Sequence, residues 1–290
     1  MEQGGARRLA SDLRGIIRRM YISNLVRAAL VAAVVAAVPA TGSAQVFVGV
    51  GVTIAPPAIP VYAQPAAPAP NYIWQPGYWA WGSGGYYWVP GTWVVAPSVG
   101  LLWTPGYWGW NNNAYFWHRG YWGSTVGFYG GVNYGFGYFG TGYVGGRWDG
   151  RVFRYNTAVT RVNTTVIHNT YNDKTVVYRD NHVRTGYSGP HGGIDARPTQ
   201  GQIAARDRGE APTSAQQYHQ QMASEDRNHL STVNGGRPNT GAVSHPYSAN
   251  NRPAHAAPVT NADRQAAQRH VAPPQGQHNN GNNNDHGPPR

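Results

Sequence analysis

The sequence predicts a mainly β protein built on an antiparallel hairpin meander, and three observations carry that prediction. Five tryptophans, Trp74, Trp79, Trp81, Trp88 and Trp93, recur 29 residues later as Trp103, Trp108, Trp110, Trp117 and Trp122. A fixed period marks one structural unit used twice. Each unit holds two W-x-x-G-x-W half-units, WQPGYW and WVPGTW, then WTPGYW and WHRGYW. Pro and Gly inside the half-units break helices, so strands remain. The third observation is a mirror relation about Gly82-Ser83-Gly84-Gly85 and about Asn111–Ala114, where Gly, Asn and Ser suit tight hairpin loops.

Folding each unit back at those turns sets like opposite like. Trp81 meets Tyr86, Trp79 meets Trp88 and Trp74 meets Trp93 in the first unit. Trp110 meets Tyr115, Trp108 meets Trp117 and Trp103 meets Trp122 in the second. Cross-strand aromatic pairs contribute about 0.2–1 kcal/mol each beyond an alanine pair. Pro76 faces Gly91 and Gly77 faces Pro90, and glycine there is expected to leave room for the proline ring. Trp79, Trp81, Tyr86 and Trp88 share one face; Tyr78, Ala80, Tyr87 and Val89 share the other. The facing of Trp74 and Trp93 depends on whether the Pro-Gly pairs bulge.

The elements run as follows along the chain. Residues 1–44 read as a secretory signal peptide. Arg7, Arg8, Arg14, Arg18, Arg19 and Arg27 precede an apolar run from Ala28 to Val38, and Gly42-Ser43-Ala44 supplies a small-residue cleavage site. Met1 and Met20 both suit the start, and Arg18-Arg19 offers a twin-arginine alternative. An apolar run of 11 residues is too short for a spanning helix, so no transmembrane segment is expected after cleavage. Within 45–70, Gln45–Ile54 alternates Val and Gly as a strand would. Ala55–Pro70 reads as an extended Pro/Ala-rich linker. Residues 71–126 hold the repeats.

Residues 127–199 are expected to be Gly/aromatic and β-rich. Val, Thr, Ile and Tyr there favour strands, Asn clusters favour turns, and Thr157–Val162 suits a short helical turn. Residues 200–290 lose hydrophobic pattern and are expected to be a mostly disordered, low-complexity tail. The one exception is an isolated helix over Thr213–Asp226, capped by Thr213 or Ser214.

Composition excludes several functions. Cys is absent, which removes disulfides, thiolate metal sites and a cysteine nucleophile. The formal charge of +11 is almost all Arg, since Lys174 is the sole lysine. Nucleic-acid binding needs that charge gathered on the ordered part, yet from Gln45 to Gly146 the only formal charge is Arg119. No carboxylate pair, G-x-S-x-G or phosphate loop stands out. The histidines show no H-x-x-x-H pair on a helix, so neither a metal nor another cofactor is expected. The chain reads as a non-enzyme; convergence of Asp149, His168 and Asp173 in one pocket would revive catalysis. His118-Arg119 stands where the first unit has Val89-Pro90, which puts a cation beside the sheet, where it could meet a ring.

Two readings of the tryptophans stay open. In a meander with few aliphatic residues, aromatics form the core. Ten tryptophans in a nearly uncharged stretch also exceed what two faces easily hide, and contiguous apolar exposure marks an interaction site. The candidate platform is Trp79, Trp81, Tyr86, Trp88, Trp108, Trp110, Tyr115 and Trp117.

WQPGYWAW, YYWVPGTW, WTPGYWGW and FWHRGYW resemble the YXWGXW (WxxGxW) repeat family of exported bacterial proteins. The stretch from YGGVNYGFGYFG through VNTTVIHNTYN, and the segments GPHGGIDARPT and VNGGRP, are similar to the region downstream of such repeats in longer members. The likeness runs from about Asn71 to Pro238. WHRGYW departs from the usual W-x-P-G, which puts one turn or bulge in question. The resemblance implies an exported, β-rich protein and carries over no active site. The expected role is structural or adhesive in the cell envelope: periplasmic, cell-surface or secreted. The alternative is a carbohydrate- or peptidoglycan-binding module. Expected partners are envelope polysaccharide, peptidoglycan or a second copy, and no nucleic acid.

Overall fold

Each 29-residue unit folds as a hairpin whose ladder is interrupted once. The computed structural model describes residues 49–179, 184–253 and 256–272. The predicted signal peptide and residues 45–48 lie outside them. In the first unit β1 (Tyr72–Gln75) pairs with β4 (Thr92–Val95), and β2 (Tyr78–Gly82) with β3 (Gly85–Val89). In the second, β5 (Leu102–Thr104) pairs with β8 (Tyr121–Gly123), and β6 (Tyr107–Asn111) with β7 (Ala114–His118). All six expected aromatic pairs form in register, from Trp74↔Trp93 through Trp110↔Tyr115. Asn112 and Asn113 turn the second hairpin with φ of 44° and 62°. Two successive positive φ values are what a type I′ turn demands, and Asn tolerates them.

The ladders break at the Pro-Gly steps, and the register is the same on both sides of each break. His118-Arg119 leaves it unchanged too: Tyr107↔His118 and Thr104↔Tyr121 keep the spacing of the first unit. No bulge enters there. The motif glycines serve a purpose other than the one expected. They make room for the indole of the opposite strand, not for proline. A Cβ on Gly91 would stand 2.6 Å from Trp74 Cζ2, and one on Gly120 2.5 Å from Trp103 Cζ2. On Gly77 it would come closer still to Trp88 Cζ2, and on Gly106 to Trp117 Cζ2. The first Trp of each half-unit thus lies on the Gly of its partner, reciprocally, in both hairpins. Interiors this dense leave no space for the extra carbon, which accounts for Trp and Gly at that spacing.

The hairpins pack on one another. Trp108 Nε1 donates to Trp79 O at 2.8 Å. Tyr78 stacks on Trp117 at 5.1 Å and 14°, and Tyr86 meets Trp108 edge-on at 5.2 Å. Downstream come β9 (Asn133–Gly135) with β10 (Tyr138–Phe139), then β11 (Gly146–Asp149) with β12 (Val152–Asn156). β13 (Thr170–Tyr171) joins β12 in parallel, and β14 (Tyr187–Ser188) joins β6. Thr157–Thr160 forms a single turn, with Thr160 N donating to Asn156 O. Phenols close the ends of the repeats: Tyr138 donates to Trp103 O and Tyr155 to Tyr72 O.

Two expectations about the flanks need correction. Ala55–Pro70 is extended but is no free linker. Trp79 Nε1 donates to Ala58 O, Trp93 Nε1 to Pro65 O, and Ile59 and Ala67 are buried. A proline-rich stretch has few N–H groups, so its carbonyls stay open to indole donors. Just before it, Val52 makes isolated bridges to Tyr115 and Val271 in place of the expected strand.

The expectation of a mostly disordered tail fails for residues 200–253 and 256–272; residues 273–290 lie outside the described ones. Residues 200–253 and 256–272 carry α1 (Gln200–Asp207), α2 (Ser214–Glu225), α3 (Ser231–Asn234) and α4 (Asn261–Gln268). Thr213 caps α2 as expected, in a capping box with Gln216. Met222, Ala223, Leu230, Tyr247 and Val259 cluster with Ala80, Tyr87 and Val89. A few apolar residues suffice because they cover a face that is already aromatic. Compositional changes at 70, 126 and 199 are therefore not packing boundaries, and the described residues belong to one compact unit.

Candidate functional site

Seven of the eight residues expected to form an exposed platform lie in the core, and the eighth packs against it. Trp79, Trp81, Tyr86, Trp88, Trp108, Tyr115 and Trp117 are buried, with Trp88 at 0% and Trp117 the most open at 7%. Trp110 is half-buried, edge-on to Tyr115 at 4.6 Å and to His191 at 5.1 Å. The polar edges of four rings are satisfied inside. Besides the Trp79 and Trp108 bonds, Tyr86 donates to Ile54 O at 3.0 Å and Trp88 Nε1 to Gly241 O at 3.0 Å. The platform is absent because both faces are covered. The second hairpin closes one face of the first, and the segment around α2 closes the other. Edge-to-face pairs such as Trp79–Trp88 and Trp81–Tyr86 each add about 0.5–1.5 kcal/mol beyond burial.

What the tryptophans leave open is a cleft of about 140 Å³ where the Pro-Gly breaks of both hairpins meet α2. The first hairpin contributes Pro76 and Tyr78, the second Trp103, Pro105, Trp117 and Arg119, and the helix Gln216, Gln217 and Gln220. Its floor is held by amides. Gln216 Nε2 donates to Gln75 Oε1 at 2.6 Å, and Gln216 Oε1 accepts from Trp122 Nε1 at 2.7 Å and Thr213 N at 2.9 Å. Both glutamines are buried, so their saturation is required. Gln220, one turn after Gln216, is half-buried and donates to the Tyr87 hydroxyl at 3.3 Å. Gln217 and Arg119 are exposed at the mouth. Among the described residues no carboxylate pairs with Arg119.

Arg119 was legible as a cation beside the sheet, where a ring contact was conceivable. The guanidinium that does lie over a ring, among the described residues, is Arg147 on Tyr171, at 4.4 Å. The neighbour of Arg119, His118, at the variable position of W-x-P-G, stacks on Tyr107 at 4.5 Å and 12°. Sequence reading missed the three α2 glutamines that line the cleft. Their only signal was the 216/220 spacing on a helix expected to stand alone.

Other polar groups have structural partners. Asp149 pairs with Arg154 at 3.2 Å, His168 Nδ1 lies 3.1 Å from Thr164 O, and Asp173 accepts from Thr175 N at 3.0 Å. No group of three His, Asp or Glu able to hold a metal occurs among the described residues. His219 is fully buried between the hairpin and the tail. Tyr247 N donates to its Nδ1 at 2.9 Å, so Nε2 carries the proton and donates to Pro90 O at 2.8 Å. Burial drives its pKa down to about 4, against the opposing bond to Pro90 and with help from nearby His229. Burial lowers His229 as well, opposed by Asp226. No described helix is long and apolar enough to cross a membrane.

Comparison with known families finds the WXXGXW repeat twice, over residues 70–94 and 99–122. The chain thus carries two copies of that repeat, one per hairpin. No curated protein and no solved structure matches it.

Proposed function

We propose that this chain, built on two WXXGXW repeats, is a non-enzymatic, exported protein of the cell envelope with a structural role. One observation carries the reading: the repeat aromatics are spent on internal packing. Reciprocal Trp-on-Gly contacts, and the bonds of the Trp79, Trp88 and Trp108 indoles to internal carbonyls, describe a rigid module, not an adhesive aromatic sheet. The catalytic candidates Asp149, His168 and Asp173 each hold a local structural contact. Export rests on the signal-like segment 1–44. Cell fractionation with amino-terminal sequencing tests it. A mature chain beginning at Gln45 in the periplasm, on the surface or in the medium is expected, and full-length cytoplasmic protein would overturn export.

The second reading, a carbohydrate-binding module, is favoured by the amide-floored, aromatic-walled cleft. Cleft sites that pair apolar walls with a few placed polar groups are typical of ligand recognition. Titrating the protein with envelope glycans and isolated sacculi separates the two readings. Saturable binding supports the module, and no binding to any glycan leaves the structural role.

A further inference from the structure

We propose that the cleft between the hairpins and α2 binds an acidic sugar residue, with Arg119 as its carboxylate-recognising group. The inference rests on the carbohydrate-binding reading and names the sugar class.

Three independent observations converge on this place. The first is sequence. Three of the four half-units carry proline before the motif glycine: Pro76, Pro90 and Pro105. The fourth carries Arg119, the only formal charge between Gln45 and Gly146. The second is position. The one residue that breaks the motif stands at the mouth of the cleft, and the hairpin register around it is undisturbed. A substitution that leaves the fold as it was and lines a cleft changes the chemistry of that cleft. The third is that the guanidinium is exposed and, among the described residues, pairs with no carboxylate. On α1, Arg206 and Asp207 pair with each other at 3.0 Å.

The lining sets the ligand class. Guanidinium recognises carboxylate through two parallel N–H···O bonds, and such charge-assisted bonds are about twice as strong as neutral ones. Gln217 Nε2 donates to Pro212 O at 2.8 Å and Gln220 Nε2 to the Tyr87 hydroxyl, which leaves the Oε1 and the second N–H of each amide to meet vicinal hydroxyls. Tyr78 and Trp117, stacked on each other, supply with Pro76 and Pro105 the apolar part of the lining, against which the C–H face of a ring can rest. The volume of about 140 Å³ falls below the roughly 300–1,000 Å³ of a cofactor or drug pocket. It suits a single ring of a longer chain that continues outside the cleft.

The test uses the full mature chain and two variants, Arg119→Pro and Arg119→Gln. Arg119→Pro restores the residue found in the other three half-units, so circular dichroism and melting are expected to match the parent. Arg119→Gln covers the case in which proline perturbs the fold. Calorimetric titration compares a galacturonic-acid trimer, a neutral glucose trimer and a glutamate-rich peptide. The acidic trimer is expected to bind best, more weakly at high salt, and both variants to lose tenfold or more of that affinity. Equal affinity of parent and both variants overturns the proposal. So does a neutral trimer or a peptide that binds as tightly as the acidic one. Binding of neutral saccharide alone ends the role of Arg119 and keeps the carbohydrate reading. No saccharide binding at all ends both.

Discussion

Gly91→Ala is the sharpest perturbation of the reciprocal packing. The added Cβ would stand 2.6 Å from Trp74 Cζ2, 3.0 Å from Trp74 Cη2 and 2.9 Å from the backbone N of Gly77. Neither neighbour yields cheaply. Trp74 is completely buried, with its ring against Trp93 at 5.2 Å and Phe136 at 5.8 Å. Gly77 N is backbone, fixed by its bond to the Tyr62 hydroxyl at 2.9 Å. Overpacking a dense core costs about 1–3 kcal/mol. Two blocked directions place this site at the upper end, about 3 kcal/mol. For a chain of this size that lowers the melting temperature by roughly 6–12 °C. Gly201→Ala is the control. It lies in α1, where a Cβ would meet nothing nearer than Thr199 Oγ1 at 3.9 Å. Alanine in a helix is favoured over glycine by up to about 1 kcal/mol. Thermal unfolding followed by tryptophan fluorescence and near-ultraviolet circular dichroism reads both. If Gly91→Ala melts with Gly201→Ala, the indole does not rest on the glycine and the account of the motif is wrong.

Three further outcomes are expected. Acidification weakens the fold through His219: above pH 6.5 it is neutral in both states and contributes nothing. From pH 6.5 down to about 4 the unfolded chain takes a proton that the buried ring refuses, removing roughly 3 kcal/mol in all. Urea unfolding between pH 8 and 4.5 checks this, and a flat profile below pH 6.5 would refute it. Trp122→Phe strips a donor from Gln216 Oε1 in a buried network and is expected to cost about 1–3 kcal/mol by chemical denaturation; an unchanged midpoint would show the network to be slack. Asn113→Ala places a Cβ residue without a compensating side chain at φ 62° and is expected to cost about 1–2 kcal/mol, whereas Asn113→Gly is near neutral. Equal stability of the two would argue against the type I′ turn.

Hairpin pairing was legible in the chain because it is local. Gly82–Gly85 and Asn111–Ala114 say where the backbone reverses, and mirror placement of rings says what then meets. The cap of α2 was legible for the same reason, since Thr213 and Gln216 are three residues apart. Arg119 could be noticed as an oddity. Its partners across the cleft could not, because nothing near it in sequence announces Gln217 or Gln220.

Strand pairs, turns and the 29-residue register were written into neighbouring residues, where one backbone dihedral or one cross-strand ring decides. Which face each tryptophan turns to water was settled only when distant chain returned. Ala58 and Pro65 carbonyls, the α2 amides and Gly241 close over rings up to 153 residues away. Burial is a property of the whole packed chain, since the hydrophobic effect counts covered area regardless of which segment covers it. A tail with few apolar residues could complete the core because the aromatic hairpin already supplied most of the surface to be hidden.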